Sequence, residues 1–151
     1  MGKEQLRQLR KYGKYISVPK GVSMWPMLRS GKDAVLIRSL KRPPAKYDLV
    51  LYIKGIEQGV IHRVLRRRRD DYIIIGDNCW QYEYVKPEKI VGIVTEFCRR
   101  GKWHKTSEPL YQLYVHIWMD FLGIKRPLFY ARDKFHSIAA KSVRNMEKYL
   151  K

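Results

Sequence analysis

Residues 49–75, LVLYIKGIEQGVIHRVLRRRRDDYIII, decide the fold of this chain. The stretch contains three short apolar runs, at residues 49–53, 60–65 and 72–75, with Gly and Asp residues between them. The runs are rich in β-branched and aromatic residues and are too short for helices, which is typical of β-strands. Asp70 and Asp71 indicate a hairpin turn between the second run and the third. We therefore expect these residues to form antiparallel strands.

Further runs of the same kind occur on both sides, at residues 34–37 and 90–97, and Pro43-Pro44 marks a loop between two of the runs. Short apolar runs at this spacing favour an antiparallel, mainly β domain, which we place at residues 15–102. Before it, residues 3–12 predict a short basic helix with Leu6 and Leu9 on one face, ended by Gly13.

Beyond residue 102 the apolar spacing becomes helical. The spacing predicts a first amphipathic helix at residues 110–122 and a second, basic helix from Leu128 onward. Gly123 and Pro127 predict a break between the two helices. The predicted organisation thus has three segments: an N-terminal basic helix at 1–14, a β domain at 15–102 and a C-terminal helical basic extension at 103–151.

The chain is strongly cationic, with 32 Lys and Arg against 14 Asp and Glu, a net charge of +18 over 151 residues. The excess is greatest toward the two ends of the chain. Such a charge predicts attraction to an anionic partner, which is a nucleic acid, an acidic membrane face or an acidic polypeptide.

Cys79 and Cys98 are the two cysteines, and they form no CxxC pair, so we predict two reduced thiols and neither a metal nor a cofactor. Residues 1–14 contain no apolar segment of the kind found in a signal peptide. The uncharged stretch at residues 109–119 is about half the roughly 20 residues that a membrane-spanning helix needs. We expect a cytoplasmic location, either free or peripheral at a membrane.

Three strings contain side chains suited to chemistry. In the first, a glycine precedes a serine and a proline follows it, which suits a tight turn that exposes a hydroxyl; it reads Gly21-Val22-Ser23-Met24-Trp25-Pro26-Met27-Leu28. The second places His62 within an apolar strand. The third runs from a strand into Gly76-Asp77-Asn78, with Glu83 five residues later. Taken separately, each string is more often structural than catalytic.

In this order, the three strings resemble those of the signal peptidase I/LexA-like superfamily of serine peptidases. The nucleophile box of that superfamily matches Ser23, Met24, Pro26 and Leu28, followed by Gly31 and Asp33. The strand opening matches Tyr47-Asp48, the base box His62-Arg63-Val64, and the acidic box Gly76-Asp77-Asn78. The resemblance covers residues 15–102 and implies the superfamily's antiparallel β fold.

The resemblance also implies roles for these residues. Ser23 would be the nucleophile and His62 the base, as in the archaeal and endoplasmic-reticulum type, whereas LexA and common bacterial signal peptidases use lysine. Either Glu83 or Asp77 would orient the imidazole. Many signal peptidases have a serine where this chain has Gly21, so backbone N–H groups, including that of Ser23, would hold the oxyanion. Gly21, Met24 and Pro26 would form the oxyanion- and substrate-binding loop.

Our first hypothesis is therefore a serine endopeptidase that cleaves a leader- or signal-like peptide by acylation. The alternative is a catalytically inactive basic module that docks on an anionic membrane or, with less support, on nucleic acid. A self-cleaving repressor of the LexA type fits poorly, because no Ala-Gly or Cys-Gly pair precedes Ser23 and the base is not lysine.

Two basic regions are left open by the sequence. The aromatic and cationic residues of the C-terminal helices suit an interfacial helix on an anionic membrane, and they equally suit packing on the β domain. The four arginines at positions 66–69 predict a solvated hairpin tip, and the alternative is an electrostatic contact with an acidic leader peptide or a phosphate.

Overall fold

We analysed a computed structural model, which describes residues 3–56 and 58–149. These residues form eight strands and three helices. The helices are α1 (Lys3–Tyr12), α2 (Pro109–Asp120) and α3 (Leu122–Tyr149). The strands are β1 (Lys14–Ser17), β2 (Ala34–Arg38), β3 (Leu49–Lys54), β4 (Gln58–Arg67), β5 (Tyr72–Ile75), β6 (Glu83–Val85), β7 (Ile90–Arg99) and β8 (Lys102–Lys105). A short 3-10 turn, Pro87–Lys89, precedes β7.

The strands form one antiparallel sheet in the order β1-β2-β7-β3-β4-β5-β6, with β8 also paired to β7. The prediction of a mainly antiparallel β fold with a short N-terminal helix and C-terminal helices is confirmed. All five predicted runs are strands, and Arg68 and Asp71 close the predicted hairpin between β4 and β5. The four arginines at positions 66–69 are exposed, as expected for a hairpin tip.

The sheet is buried on both faces, which explains why β3 is apolar at almost every position. Leu49 and Leu51 point into the larger core, and Val50 and Tyr52 point into a smaller core on the other face. The larger core is completed by residues from α1, the loop before β2 and the C-terminal helices, including Leu9, Met24, Met27, Leu28, Tyr111, Val115, Met119 and Leu122. Each such side chain contributes about 1.5–3 kcal/mol when fully buried.

Three short strands, β1, β6 and β8, were not predicted. Each has three or four residues, alternates weakly in burial and lacks an apolar run. β1 and β8 also run across the predicted segment boundaries at 14/15 and 102/103. The N-terminal helix is as expected: it ends at Tyr12, and Gly13, with φ +67°, donates its N–H to the carbonyl of Leu9.

The predicted helix break at Gly123 and Pro127 is wrong. The interruption lies at Phe121, and α3 starts at Leu122 and continues through Pro127. Proline supplies a φ that is already helical, and in the second turn of the helix it removes a single hydrogen bond, to the carbonyl of Gly123. The helix therefore continues past a local breaker signal that costs only one hydrogen bond.

No helix in the described part of the chain has the length and hydrophobicity required to cross a bilayer. The two cysteines, Cys79 and Cys98, are free thiols.

Candidate active site

The sequence-predicted site residues meet at one groove of about 620 Å³ at the end of the β3–β4 hairpin. Ser23, His62 and Glu83 all line it, although they come from a loop, from β4 and from β6. Gly21 and Met24 line the same groove, and half-buried Pro26 follows in the same loop.

The loop before β2, residues 18–33, holds Ser23 through contacts of its own. Asp33 is fully buried, accepts hydrogen bonds from the backbone N–H of Arg29 and pairs with its guanidinium. The hydrogen bond from Arg29 lowers the pKa of Asp33. Gly21 has φ +99°, a conformation that favours glycine, and donates its N–H to Ser30 Oγ at 2.9 Å. The loop is thus preformed, with Ser23 at the groove.

The turn after β5 is tied directly to this loop. The backbone N–H of Asn78 donates to the carbonyl of Ser23 at 2.8 Å, and Asn78 Nδ2 donates to the carbonyl of Val22 at 3.1 Å. Two of the three strings that the sequence singled out are therefore joined by hydrogen bonds at the proposed nucleophile.

Gly76 leaves the space in which the loop and the imidazole approach each other. A Cβ atom at this position would lie 2.7 Å from the carbonyl oxygen of Ser23 and 3.0 Å from Nε2 of His62. Nε2 and that oxygen are therefore no farther apart than the sum of these two distances. The absence of a side chain at Gly76 leaves room for the imidazole edge beside the Ser23 loop.

His62 is buried, with 5% of its surface exposed, and stands opposite Val50 in the β3–β4 pairing. Its Nδ1 lies 3.2 Å from the hydroxyl oxygen of Tyr52 and 3.4 Å from Oε1 of Glu83. An ionised carboxylate only accepts hydrogen bonds, so we assign the proton of the neutral ring to Nδ1. Nε2 is then an unprotonated acceptor facing the Ser23 loop.

Glu83, the first residue of β6, is held as a carboxylate. The Tyr52 hydroxyl donates to its Oε2 at 2.8 Å, and Lys54 Nζ lies 3.1 Å from the same oxygen. The hydrogen bond from His62, with those from Tyr52 and Lys54, lowers the pKa of Glu83 to about 2 although partial burial opposes this. Burial, assisted by Glu83, raises the pKa of Tyr52, so this hydroxyl keeps its proton.

The second candidate acid, Asp77, is placed elsewhere. Both of its oxygens accept hydrogen bonds from the guanidinium of Arg63 at 2.8 Å, and both side chains have no exposed surface. The hydroxyl of Tyr114 also donates to Asp77. Of the two acids that the sequence left open, it is therefore Glu83 that lies against the imidazole, while Asp77 neutralises a buried cation.

Cys79 is the other nucleophilic side chain near the groove. Its Sγ would be 2.8 Å from a Cβ atom at Gly76. Burial first, and then the charge of Glu83, raises the pKa of this thiol, so it stays protonated and is a poor nucleophile at neutral pH. No cluster of three or more His, Cys, Asp or Glu side chains suited to a metal ion occurs among residues 3–56 and 58–149.

Helix α3 holds the loop at residues 78–82, which leads to Glu83. Arg132 of α3 donates to the side-chain and backbone oxygens of Asn78, at 2.6 and 3.2 Å. Arg126 donates to the carbonyl of Trp80 at 2.8 Å and stacks over the ring of Tyr82. The helix is therefore part of the scaffold of the site.

No protein-family model matches this chain, and no curated protein matches it at a significant level.

Sequence reasoning missed the side chains that position the chemistry. Tyr52 lies in an apolar strand and has the sequence signature of a core residue, and Lys54 has that of a solvated strand end. Arg132 is one of the cations of the C-terminal helices, for which the sequence left open a membrane contact or exposure to water. The register of β3 against β4, which pairs Val50 with His62, is the feature that would have brought Tyr52 near the imidazole.

Proposed function

We propose that this chain is a serine endopeptidase with a signal peptidase/LexA-like catalytic fold, in which Ser23 is the nucleophile and His62 the general base. One observation carries the proposal. The imidazole of His62 has its Nδ1 against Glu83 and its Nε2 toward the Ser23 loop, and all three residues line one groove. A serine–histidine–acid mechanism places the base between the acid and the nucleophile, and these contacts support that order of residues.

In the proposed mechanism, Ser23 Oγ attacks the carbonyl carbon of the scissile peptide bond while Nε2 of His62 accepts the hydroxyl proton. The imidazolium then gives this proton to the leaving amine as the carbon–nitrogen bond breaks. The acyl group remains on Oγ until water, deprotonated by the same nitrogen, releases it. Glu83 stabilises the imidazolium during both steps, and Tyr52 fixes the ring by bonding to Nδ1 and to Glu83.

The oxyanion is proposed to bind backbone N–H groups, including that of Ser23. Gly21 offers no hydroxyl at the position where many signal peptidases have one. Because one oxyanion donor contributes about 10²–10³ in kcat, we expect slower turnover than in an enzyme that has it.

The groove suits an extended polypeptide substrate. Its lining includes apolar residues such as Leu51 and Ile61, together with residues 17–21 and residues of the β3–β4 hairpin. The net charge of +18 favours a substrate with an acidic leader- or signal-like segment.

An active-site probe tests this proposal. We expect a fluorophosphonate to label Ser23 of the wild type, with the modified residue located by mass spectrometry. Ser23→Ala should abolish labelling, and His62→Ala should slow it by about 10²–10⁴-fold, because the base is lost. Ser107→Ala, at an exposed serine before α2, is the control and should label like the wild type. A wild-type protein that does not react, or a Ser23→Ala variant that labels equally, rules the proposal out.

The inactive basic module remains the second candidate function, and the net charge of +18 is the observation in its favour. It predicts a wild-type protein that does not react with the probe and whose binding to an anionic partner is salt-dependent and unchanged by Ser23→Ala.

A further inference from the structure

Helices α2 and α3 expose a row of large apolar side chains. Each is at least 54% exposed, and we call the row the apolar stripe: Leu110, Leu113, Ile117, Phe121, Ile124, Leu128, Phe135 and Ile138. Single exposed apolar residues are ordinary, but a contiguous series marks an interaction surface.

The members of the apolar stripe share one face of the helices. They follow one another at intervals of three or four residues, with Ala131 between Leu128 and Phe135, and this spacing keeps them in line at 3.6 residues per turn. At 1.5 Å per residue, the α3 part of the row, from Ile124 to Ile138, is about 20 Å long. Other positions, such as Val115 and Met119, are buried against the sheet. The stripe is therefore a second apolar face, distinct from the one that packs in the core.

Beyond Arg132, the α3 side chains that the structure describes do not pack on the rest of the protein. Every residue from Asp133 to Ala139 is exposed. A helix without tertiary packing is marginally stable in water, because most helical stability in proteins comes from burial of an amphipathic face. A partner that covered the stripe would supply this burial.

The positive charge of α3 favours an anionic surface over a second copy of this chain as the partner of the stripe. The segment 122–149 has seven basic and two acidic residues, a net charge of +5, within a chain of net charge +18. A second copy would bring two such segments together and would be opposed by their repulsion. Lys134 is exposed beside the stripe, as expected of a cation that reaches lipid phosphates next to a buried apolar face. At an anionic surface there is no such repulsion between like charges, and every cation near the surface strengthens binding.

We propose that the apolar stripe docks this protein on an anionic lipid surface, with α2 and α3 lying in the plane of the interface. A row of exposed side chains along one helix face can be covered along its length by a planar surface. The inference does not depend on the proposed peptidase activity. Helix α3 would then contact the lipid surface through the apolar stripe and the Asn78 loop through Arg132.

Sedimentation with lipid vesicles tests the proposal on the full chain. We expect the wild type to bind vesicles of phosphatidylcholine and phosphatidylglycerol in equal amounts, to bind phosphatidylcholine vesicles more weakly, and to be released by salt. The double variant Leu128→Gln/Phe135→Gln removes two stripe side chains and should lower partitioning roughly tenfold or more. The matched control, His136→Gln/Ser137→Gln, changes two exposed residues outside the stripe and should bind like the wild type.

Several outcomes would overturn the proposal. These are no binding to the anionic vesicles at low salt, or equal binding by the two double variants. A dimer in analytical ultracentrifugation that Leu128→Gln/Phe135→Gln dissociates, without vesicle binding by the wild type, would assign the stripe to a second copy instead. Circular dichroism establishes that both variants are folded, and Ser23→Ala should bind vesicles normally whether or not the peptidase proposal holds.

Discussion

The Glu83 carboxylate accepts contacts from three side chains of different character: the imidazole of His62, the hydroxyl of Tyr52 and the ammonium of Lys54. These contacts lower its pKa from the ordinary 4.5 to about 2. Because the folded-state pKa lies below the unfolded one, the carboxylate stabilises the fold above pH 4.5. This stabilisation is lost as the pH falls from 4.5 through about 2.

Glu83→Gln should therefore have a lower melting temperature than the wild type at neutral pH. In acid this difference in melting temperature should disappear. We expect the melting temperatures of the wild type and Glu83→Gln to differ by about 2–4 °C, the shift that 1 kcal/mol produces in a domain of this size. The contribution is limited to about 1 kcal/mol because the site is partly open to solvent. The difference should be constant above about pH 5 and should narrow toward pH 2. Thermal unfolding at a series of pH values measures it. Glu88→Gln removes the same charge from an exposed position and is the control. Parallel loss of stability by wild type and Glu83→Gln across this range would contradict the proposed contacts.

At the scale of elements, the turn after β5 joins the base to the nucleophile loop, and it does so because Gly76 has no side chain. A Cβ atom there would be 2.7 Å from a backbone oxygen and 2.8 Å from Cys79 Sγ, so the turn or the loop would have to move.

Gly76→Ala should accordingly separate Ser23 from His62. We expect a loss of about 1–3 kcal/mol in stability, typical of overpacking, and a large decrease in the rate of fluorophosphonate labelling. Denaturant unfolding and labelling kinetics provide the two measurements. Gly123→Ala is the matched control, because a Cβ atom at Gly123 would meet nothing within 4 Å and alanine is favoured in a helix. Labelling of Gly76→Ala at the wild-type rate would show that the close approach does not matter for reactivity.

For the whole molecule, the buried pair of Arg63 and Asp77 connects the sheet to the C-terminal helices. Arg63 also donates to the hydroxyl of Tyr111 and to the carbonyl of Tyr47, and the indole of Trp118 donates to the carbonyl of Asp77. The pair thus joins β4, two loops and α2 at one buried point.

Asp77→Ala would leave the Arg63 guanidinium buried without its counter-charge. We expect it to lower the free energy of unfolding by about 3–5 kcal/mol, as measured with urea. The double variant Arg63→Met/Asp77→Ala should be less destabilised than Asp77→Ala alone, because the uncompensated charge is gone. Glu96→Ala, which breaks the exposed pair with Arg38, should cost about 1 kcal/mol or less. An equal cost for Asp77→Ala and Glu96→Ala would contradict this account.

Much of the fold could be predicted because local pattern and tertiary environment agree. The five predicted strands are apolar runs, α1 ends where Gly13 allows a positive φ, and the apolar spacing of α2 is helical. Short edge strands such as β6 carry too little local signal, and α3 continues through Pro127 because proline near the start of a helix removes only one hydrogen bond.

The candidate site was predictable in its residue types but not in its connections. Ser23, His62 and Glu83 could be named from their strings, but the choice between Glu83 and Asp77 depends on which side chain lies on which face of the sheet. Arg63, adjacent to His62, points to the opposite face and takes Asp77 as its partner. Only the register of the strands determines that division.

The contacts of Arg126 and Arg132 with the loop at residues 78–82 have a further consequence. Two segments that are joined in this way should open together, so backbone amides of the loop and of the first turns of α3 are expected to exchange with deuterated water at a common rate. Whatever tightens or loosens α3 then changes how often the stretch leading to Glu83 is open.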